Sequence, residues 1–382
     1  MDNGKPYRLA IIGGGINGLC AAFAAIQQKL SPVLLIDQFD LGHNRGSSHG
    51  HSRITRSAYV NEDYVNLMQV AHETAWPGLE GVLGTKIIYP TEGCFFGPPG
   101  SKYDHYAKVV TNVGVDCSEV PVEDARLRYP QFRFENTPGV IIDRTAGLVA
   151  AQQAITSLSS YAKQHIDVAE GLAVTDIDLD SAPIELRTKE SKITAESVIV
   201  TAGPWARRLI PAIEPVVTVA RQTVGYITLK TTPEAHQLGG FPVWGDLGGA
   251  GSLGYYGLPE FGCPGIKVAK HVIRGRDDDP DLPEEPSQGE IDDLRDFVAG
   301  CFAPELDELI AVETCHYTNT ENEDYIIDLH PDNPACAIGA GFSGHGFKLG
   351  PVTGQALVDL VIHGQPALDA FAQARQRFAL KF

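Results

Sequence analysis

Residues 8–18 read RLAIIGGGING, and this stretch decides the fold of the N-terminal part of the chain. The apolar run Arg8–Ile12 is short, which is typical of a strand buried in a parallel sheet. From Asn17 to about Leu30, apolar residues recur at helical spacing, and Val33–Ile36 is a second apolar run that ends at Asp37. The pattern predicts a βαβ unit.

The glycines of this unit follow the pattern G-x-G-x-x-G at Gly13, Gly15 and Gly18. The first permits a tight turn, the second lets a pyrophosphate approach the backbone, and the third lets helix and strand pack closely. Asp37 ends the second strand, where a carboxylate accepts hydrogen bonds from a ribose and disfavours a 2′-phosphate. The motif predicts dinucleotide binding and leaves FAD and NAD open; its place at the start of the chain favours FAD.

Composition narrows the class of protein. The 382 residues exceed what one hydrophobic core usually holds, so we expect more than one domain. A net charge of −18 disfavours binding to nucleic acid and to anionic membrane surfaces. The 7 cysteines form no CxxC pair and are odd in number, which favours a reducing compartment. With no apolar span and no signal-like start, the sequence predicts a cytoplasmic protein.

Periodicity gives a coarse order of elements along the rest of the chain. Helical spacing occurs near 60–82, 149–165, 288–302 and 352–363, and after Gly203-Pro204. Strand-like runs occur within 86–142, 172–188, 197–202, 216–273 and 335–339, and an acidic, proline-rich loop at 277–290. This order predicts an α/β fold, in which a discontinuous nucleotide-binding domain is interleaved with a sheet-rich second domain.

Four further segments carry a resemblance to a known family. They are GSSHGHSRITRSAY at 46–59, CHYT at 315–318, DYIIDLHP at 324–331 and GFSGHGFK at 341–348. In this order and spacing the chain resembles the monomeric sarcosine oxidase and N-methyltryptophan oxidase family, FAD-dependent amine oxidases of the D-amino acid oxidase superfamily. The resemblance implies a monomeric flavoprotein that oxidises a secondary amine next to a carboxylate. Oxygen accepts the electrons and gives hydrogen peroxide, and the imine product hydrolyses.

The resemblance also implies a division into two domains. A Rossmann-like FAD-binding domain would comprise residues 1–85, 145–215 and 320–382. A substrate domain with an antiparallel or mixed sheet would comprise residues 86–144 and 216–319.

Several residues match positions that hold the flavin in the family. Cys315 matches the cysteine joined to the 8α carbon of FAD, although a free cysteine is more often a buried, inert thiol. A thiolate is the attacking form, so this bond needs a positive neighbour. Gly344, Gly346 and Lys348 belong to a loop whose backbone N–H groups stabilise reduced flavin.

Arg56 and Lys348 match the residues that bind the substrate carboxylate. A guanidinium makes two parallel hydrogen bonds to a carboxylate, and a second cation would fix its orientation. Arg53 matches a residue near the flavin. If the segment turns helically, Arg53 and Arg56 lie on one side; the alternative for both, and for Lys348, is a solvated surface charge.

The remaining predicted site residues surround the flavin and the substrate. Lys267 matches a lysine that promotes the reaction with oxygen, since a cation stabilises charge developing in a low-dielectric site. His49 matches a histidine near the flavin ring, and His271 and Tyr317 match residues over the substrate. Tyr256 matches a mobile active-site aromatic. Taken without the resemblance, each is more often a packing or strand-surface residue.

Two other functions stay open at this point. The first is an NAD-dependent dehydrogenase that uses the same glycine motif, and the second is a flavin-binding subunit without catalysis. No histidine–carboxylate spacing typical of zinc sites and no G-x-S-x-G elbow is present, so we expect neither a metal centre nor a serine hydrolase. Loops around 86–100 and 239–262 would set the substrate, with Trp244, His316 and Glu260 as candidates for shaping the pocket.

Overall fold

The computed structural model describes residues 5–248, 254–273, 277–282 and 285–381, with positions 111 and 113 described by their backbone alone. The strands are β1 (Leu9–Ile12), β2 (Val33–Ile36), β3 (Ser52–Thr55), β4 (Ile88–Pro90), β5 (Gly93–Phe96), β6 (Cys117–Val120), β7 (Val140–Asp143), β8 (Gly147–Ala150), β9 (Asp167–Ala169), β10 (Val174–Asp178), β11 (Ile184–Thr188), β12 (Lys192–Ala195), β13 (Val198–Val200), β14 (Thr218–Leu229), β15 (Val243–Asp246), β16 (Tyr255–Leu258), β17 (Ile266–Lys270), β18 (Leu306–Asn319), β19 (Ile326–Leu329) and β20 (Cys336–Ala340).

The α-helices are interspersed among these strands. They are α1 (Ile16–Gln27), α2 (Glu62–Val70), α3 (Trp76–Leu83), α4 (Lys102–Val113), α5 (Val122–Arg128), α6 (Ala151–His165), α7 (Ala206–Leu209), α8 (Gln288–Cys301), α9 (Gly350–His363) and α10 (Asp369–Phe378). A π-helical turn, Ala71–Ala75, joins α2 to α3.

The N-terminal βαβ unit is the centre of a six-stranded sheet of order β19-β20-β13-β1-β2-β9. The strands from β20 to β9 run parallel, and β19 closes one edge antiparallel. Leu9 and Ile11 of β1 pack with apolar residues of α1, α6 and α9, whereas Ala10 and Ile12 pack with those of the small sheet β10-β11-β12. Both faces are therefore covered, which explains why β1 and β2 are apolar throughout.

The packing of α9 against α1 depends on small residues. A Cβ atom added at Gly354 would lie 2.5 Å from the backbone carbon of Cys20, and one at Gly350 would lie 2.8 Å from Ile16 Cγ1. This close approach brings the segment that precedes α9 next to the glycine turn that precedes α1.

The second large sheet has eight strands in the order β18-β14-β17-β16-β15-β5-β7-β6. It is antiparallel except for the parallel pair β15–β5, and its long strands β14 and β18 pair along almost their whole length. A third sheet, β3-β8-β4, lies between the two larger ones in sequence. The predicted α/β class with a mixed second sheet is confirmed.

All strands of the six-stranded sheet fall within residues 1–85, 145–215 and 320–382, and all strands of the eight-stranded sheet within 86–144 and 216–319. This distribution supports the two-domain division, which we keep as a proposal. Among the described residues, no helix has the length and apolar character needed to cross a bilayer.

The structure corrects three of the expected elements. Residues 86–142 contain α4 and α5, although their aromatic and β-branched runs indicate strands. Ser101 caps α4 by accepting a hydrogen bond from Tyr103 N at 3.2 Å, and Tyr103, Tyr106 and Val110 form its buried face. The helix predicted over 60–82 is interrupted by the π-helical turn. The helical run expected from residue 149 begins at Ala151, because 147–150 pairs with β3 as a strand.

Candidate active site

The glycine turn has the geometry that its motif predicts. Gly13 has φ +103°, a conformation that favours glycine, and a Cβ atom there would overlap the backbone of Thr201. A Cβ atom at Gly18 would overlap Gly13 O. A Cβ atom at Gly15 would lie 3.1 Å from Ser48 Oγ, which accepts a hydrogen bond from Ile16 N at 3.1 Å. The turn thus leaves room for a ligand at the N-terminus of α1.

Asp37 is buried beside this turn. Its Oδ2 accepts a hydrogen bond from Gly14 N at 2.7 Å, and its Oδ1 accepts one from Phe39 N at 2.8 Å. The carboxylate therefore holds the glycine turn in place as well as lining the cavity beside it.

A cavity of about 990 Å³ extends from the glycine turn to the eight-stranded sheet. Gly13, Gly15 and Asp37 line one end, and Cys315 and Tyr317 the other. His49, Arg53, Gly344 and Gly346 also line it.

These residues fit FAD, because a dinucleotide-type turn and a thiol on the eight-stranded sheet line one continuous space. The buried Nδ1 of His49 has no hydrogen-bond partner within the described part of the chain, which suits a ligand with donor groups.

The face of the eight-stranded sheet that meets this cavity carries the thiol and a buried amine. Cys315 lies on β18, and burial raises the pKa of its thiol against the opposing effect of Arg53 and Lys267. Lys267 lies on β17 and donates a hydrogen bond to Ser52 O at 3.2 Å. Burial, assisted by the charge of Arg53, lowers the pKa of Lys267 to about 7. The positive neighbours that a reactive thiolate needs are present.

Arg53 is held by backbone oxygens. Its Nη2 donates to Ser47 O at 2.9 Å and to His49 O at 2.6 Å, and its guanidinium lies 5.5 Å from the ring centre of Phe347. His49 donates from Nε2 to Thr314 O at 3.2 Å, and burial together with Arg53 lowers the pKa of His49 to about 4. The imidazole is therefore neutral at physiological pH, with Nδ1 as an acceptor.

Arg56 and Lys348 are brought together at a second, smaller cavity of about 40 Å³. They are only 3% and 8% exposed, yet neither forms an ion pair with a carboxylate of the described residues. Both lie against the ring of Tyr59, with Arg56 Cζ at 4.9 Å and Lys348 Nζ at 5.2 Å from its centre. Burial and the charge of Arg56 hold the pKa of Lys348 well below its usual range.

The environment of Arg56 is aromatic rather than acidic. Its Nη1 donates to Tyr106 OH at 2.6 Å, and its guanidinium also lies 4.7 Å from the ring centre of Phe95. Its Nε has no hydrogen-bond partner among the residues that the structure describes. Asp143 is the nearby acid, but Oδ1 of that residue accepts hydrogen bonds from Thr145 N and Oγ1 at 2.8 and 2.6 Å. Such a buried cation is suited to an incoming anion.

The other predicted residues complete the small cavity. The hydroxyl oxygens of Tyr256 and Tyr317 are 2.9 Å apart and joined by a hydrogen bond. His271 Nε2 lies 3.0 Å from Glu323 Oε2, and its ring lies 5.5 Å from that of Tyr317. Gly344 has φ +77°, and a Cβ atom there would overlap the Tyr317 ring. These contacts bring together residues of β16 and β18, the residue that follows β17, and the GFSGHGFK segment.

Some premises of the sequence analysis are wrong. Arg53 lies on strand β3 and Arg56 follows it, so the helical argument for the pair does not hold. The alternative of surface charge is excluded for Lys267 and Lys348, which are both buried. Trp244 is wholly buried in the aromatic core of the eight-stranded sheet and lines neither cavity.

The two other pocket candidates have different surroundings. His316 lines the large cavity, and its backbone oxygen accepts a hydrogen bond from Ser47 Oγ. Glu260 Oε2 accepts a hydrogen bond from Gly265 N at 2.8 Å, which stabilises a turn.

Sequence reasoning missed several residues at the small cavity. Tyr59 and His345 line it, and Tyr106 and Glu323 contact residues that do. His345 donates from Nε2 to Glu323 O at 2.9 Å and accepts from Tyr325 OH at 2.8 Å. Tyr59 and His345 belong to the quoted segments 46–59 and 341–348, so the signal was present there. Tyr106 could not be found, because it lies on the helix that was not predicted.

Comparison with known proteins agrees with this geometry. The family model described as FAD dependent oxidoreductase matches residues 8–360. The chain is 34% identical to the peroxisomal sarcosine oxidase of Mus musculus, covering 97% of this chain and 95% of that one. It is 29% identical to the monomeric sarcosine oxidase of Arthrobacter sp. (strain TE1826), covering 100% and 99%.

A solved structure with the same fold is NikD, an unusual amino acid oxidase essential for nikkomycin biosynthesis, in its open form. Its TM-score is 0.82 at 18% identity, and the match covers 99% of this chain and 98% of that one. This likeness concerns the fold, whereas the family match and the identity of the full-length relatives concern descent. The chain is therefore an FAD-dependent amine oxidoreductase that belongs to the FAD dependent oxidoreductase family and, within it, to the sarcosine oxidase family.

Proposed function

We propose that this enzyme oxidises the secondary amine of a small N-alkyl or cyclic amino acid, with O2 as the electron acceptor. The products are hydrogen peroxide and an imine, which hydrolyses. The observation that carries the proposal is the pair of buried cations, Arg56 and Lys348, which face a small cavity without an acidic partner among the described residues.

A carboxylate satisfies both cations at once. Burying a charge without a counter-ion is costly, and the faces of aromatic rings offset only part of that cost. The Nε of Arg56, which has no partner in the described part of the chain, offers an N–H in the plane of the guanidinium, which suits a two-pronged contact with a carboxylate. Lys348, at the end of the GFSGHGFK segment, adds a second charge. The anion would thereby be fixed at one end of the cavity and the amine at the other.

The cofactor would be held by the glycine turn and by a bond to Cys315. Gly13, Gly15, Gly18 and Asp37 would hold its dinucleotide part at the N-terminus of α1. FAD bound here supplies the acceptor for the two electrons of the amine and passes them to oxygen. Arg53 and Lys267 favour the thiolate form of Cys315, which supports covalent attachment through that sulfur.

The charge and position of the other predicted site residues support further roles in the reaction. Lys267 would hold a positive charge where oxygen is reduced, and its pKa of about 7 means that the charge is easily gained or lost at physiological pH. His49 and Arg53 would face the flavin, while His271, Tyr256 and Tyr317 would enclose the substrate. Gly344 and Gly346 would place backbone N–H groups beside the cofactor.

Cavity size favours a small substrate. The small cavity has a volume of about 40 Å³, and the hydrogen bond between Tyr256 and Tyr317 closes one side of it. The names of the relatives, sarcosine oxidases from mouse and from Arthrobacter, support N-methylglycine as the first candidate. The relative named as monomeric supports a single-chain enzyme. A cytoplasmic location stays a prediction.

A peroxide-coupled assay over a panel of secondary amines tests the proposal. We expect turnover of N-methylglycine and of small cyclic amino acids, and none of the matching amines that lack the carboxylate. Activity that is equal without the carboxylate would refute the role of Arg56 and Lys348. Reduction of NAD by the same substrates would favour a dehydrogenase. A bound flavin that no member of the panel reduces would favour a subunit without catalysis.

A further inference from the structure

The π-helical turn Ala71–Ala75 carries a half-buried histidine that the proposed reaction does not use. His72 Nε2 lies 2.6 Å from Thr55 Oγ1, and His72 Nδ1 lies 3.1 Å from Ser57 Oγ. Thr55 and Ser57 are the two residues on either side of Arg56. A single imidazole ring therefore fixes the backbone immediately before and after the guanidinium residue.

The same helical segment also contacts the second cation. Trp76, four residues after His72 and wholly buried, donates from Nε1 to Lys348 O at 2.8 Å. Burial, together with the charge of Lys348, lowers the pKa of His72 to about 4, so its ring adds no third positive charge at neutral pH. The π-helical turn thus contacts the segment of Arg56 through His72, and the first residue of α3 contacts the segment of Lys348. Such π-turns occur often at functional sites.

Arg56 needs such support because its own side chain makes few directed contacts. Among the described residues its one side-chain hydrogen bond goes to Tyr106 OH, and Asp143 acts on it through charge alone. The aromatic faces around it attract a cation without fixing its rotation. Ser57 N donates to Thr145 Oγ1 at 3.0 Å, so the segment is fixed from one side by Thr145 and from the other by His72. The direction of the guanidinium then depends on the backbone that carries it.

We propose that residues 71–76, the π-helical turn and the first residue of α3, are the positioning element of the carboxylate site, in which His72 orients Arg56 and Trp76 orients Lys348. This inference rests on the proposed function, since it assumes that the two cations bind a carboxylate. His72 and Trp76 are positioning residues and touch neither substrate nor cofactor. Because binding requires both cations at one spacing, displacement of either segment weakens the contact with the anion while the charges remain.

Calorimetric titration with methoxyacetate, an analogue of N-methylglycine without the amine, provides the test in the FAD-loaded enzyme. We expect His72→Leu to weaken binding about tenfold and Trp76→Phe several-fold, with the flavin spectrum unchanged. In a double-mutant cycle, His72→Leu should cost less than about twofold when added to Arg56→Lys, since it acts through Arg56. If His72→Leu does not fold, Thr55→Val and Ser57→Ala each remove one hydroxyl and should weaken binding in the same direction.

A matched control is His330→Leu. His330 is a buried histidine that accepts a hydrogen bond from Asp332 N at 3.2 Å and lines neither cavity. The substitution His330→Leu should lower the melting temperature without changing the affinity for methoxyacetate. The inference is overturned if folded His72→Leu binds as tightly as wild type, or if its effect is as large in Arg56→Lys as in wild type. Failure of the wild type itself to bind methoxyacetate would refute the carboxylate site, and the inference with it.

Discussion

Replacing Arg56 by lysine keeps the charge and removes the planar fork. Because Arg56 is wholly enclosed, salt and solvent screen its contact with a carboxylate very little. A hydrogen bond to a charged group is worth about 1.5–3 kcal/mol, so the loss of one of two parallel bonds should weaken carboxylate binding by about 10-fold to 150-fold. The fold should survive, because Tyr106 OH still donates to Ala58 O at 3.1 Å after its partner is gone.

The assay is a titration of the flavin absorbance with methoxyacetate, together with KM and kcat for N-methylglycine. We expect the Kd and KM of Arg56→Lys to rise together. Arg144→Lys is the matched control, since Arg144 forms an exposed ion pair with Asp116 at 3.2 Å and such pairs contribute little. Equal affinity of Arg56→Lys and wild type would remove Arg56 from the site. An equal loss in Arg144→Lys would show that the effect of Arg56→Lys is not specific to the carboxylate site.

Three further substitutions test the cofactor side of the site. Cys315→Ala should abolish the covalent adduct, so that flavin fluorescence no longer accompanies the denatured chain on a gel; persistence of the adduct would exclude this thiol. Gly18→Ala should abolish FAD retention, because its Cβ would overlap Gly13 O; normal flavin content would contradict the turn geometry. Lys267→Met should slow flavin reoxidation about 100-fold with little effect on flavin reduction, as stopped-flow absorbance would show; equal slowing of both would count against its role. Since burial lowers the pKa of Lys267 to about 7, the folded chain loses a proton that the unfolded chain keeps up to about pH 10.5. Cofactor-free wild type should therefore gain stability to urea relative to Lys267→Met as pH rises from 7 towards 10, and parallel curves would refute this burial.

Local chemistry explains which parts of the fold were predictable. The strand, turn and helix at residues 8–30 follow from short-range rules, because steric limits at Gly13 and Gly18 and the apolar period of α1 act within one segment. The helix α4 was not predictable in this way. Its tyrosines and valines favour strands by propensity, and only their packing against distant residues makes the helix stable.

The site residues could be predicted only from the resemblance to a known family, and there is a physical reason for this. Nothing near Arg56 or Lys348 in the sequence indicates that either side chain is buried. Arg56 is covered by Phe95 of β5 and Tyr106 of α4. Lys348 is contacted by Trp76 of α3. Burial results from contacts between segments that are distant in the sequence. A single sequence therefore cannot distinguish a charged residue at the surface from a buried cation that binds a ligand.

The neighbours of Arg56 are mainly aromatic rather than acidic, and this determines which ligand the small cavity can bind. A carboxylate beside Arg56 would neutralise it and close the site to an anionic substrate, whereas the rings of Tyr59, Phe95 and Tyr106 attract the cation and leave its N–H groups available. Burial, and after it the repulsion from Arg56, lowers the pKa of Lys348, and an anion between the two side chains would relieve that repulsion. That unfavourable interaction in the free enzyme becomes selectivity for the carboxylate, since an uncharged amine of the same size offers no such relief.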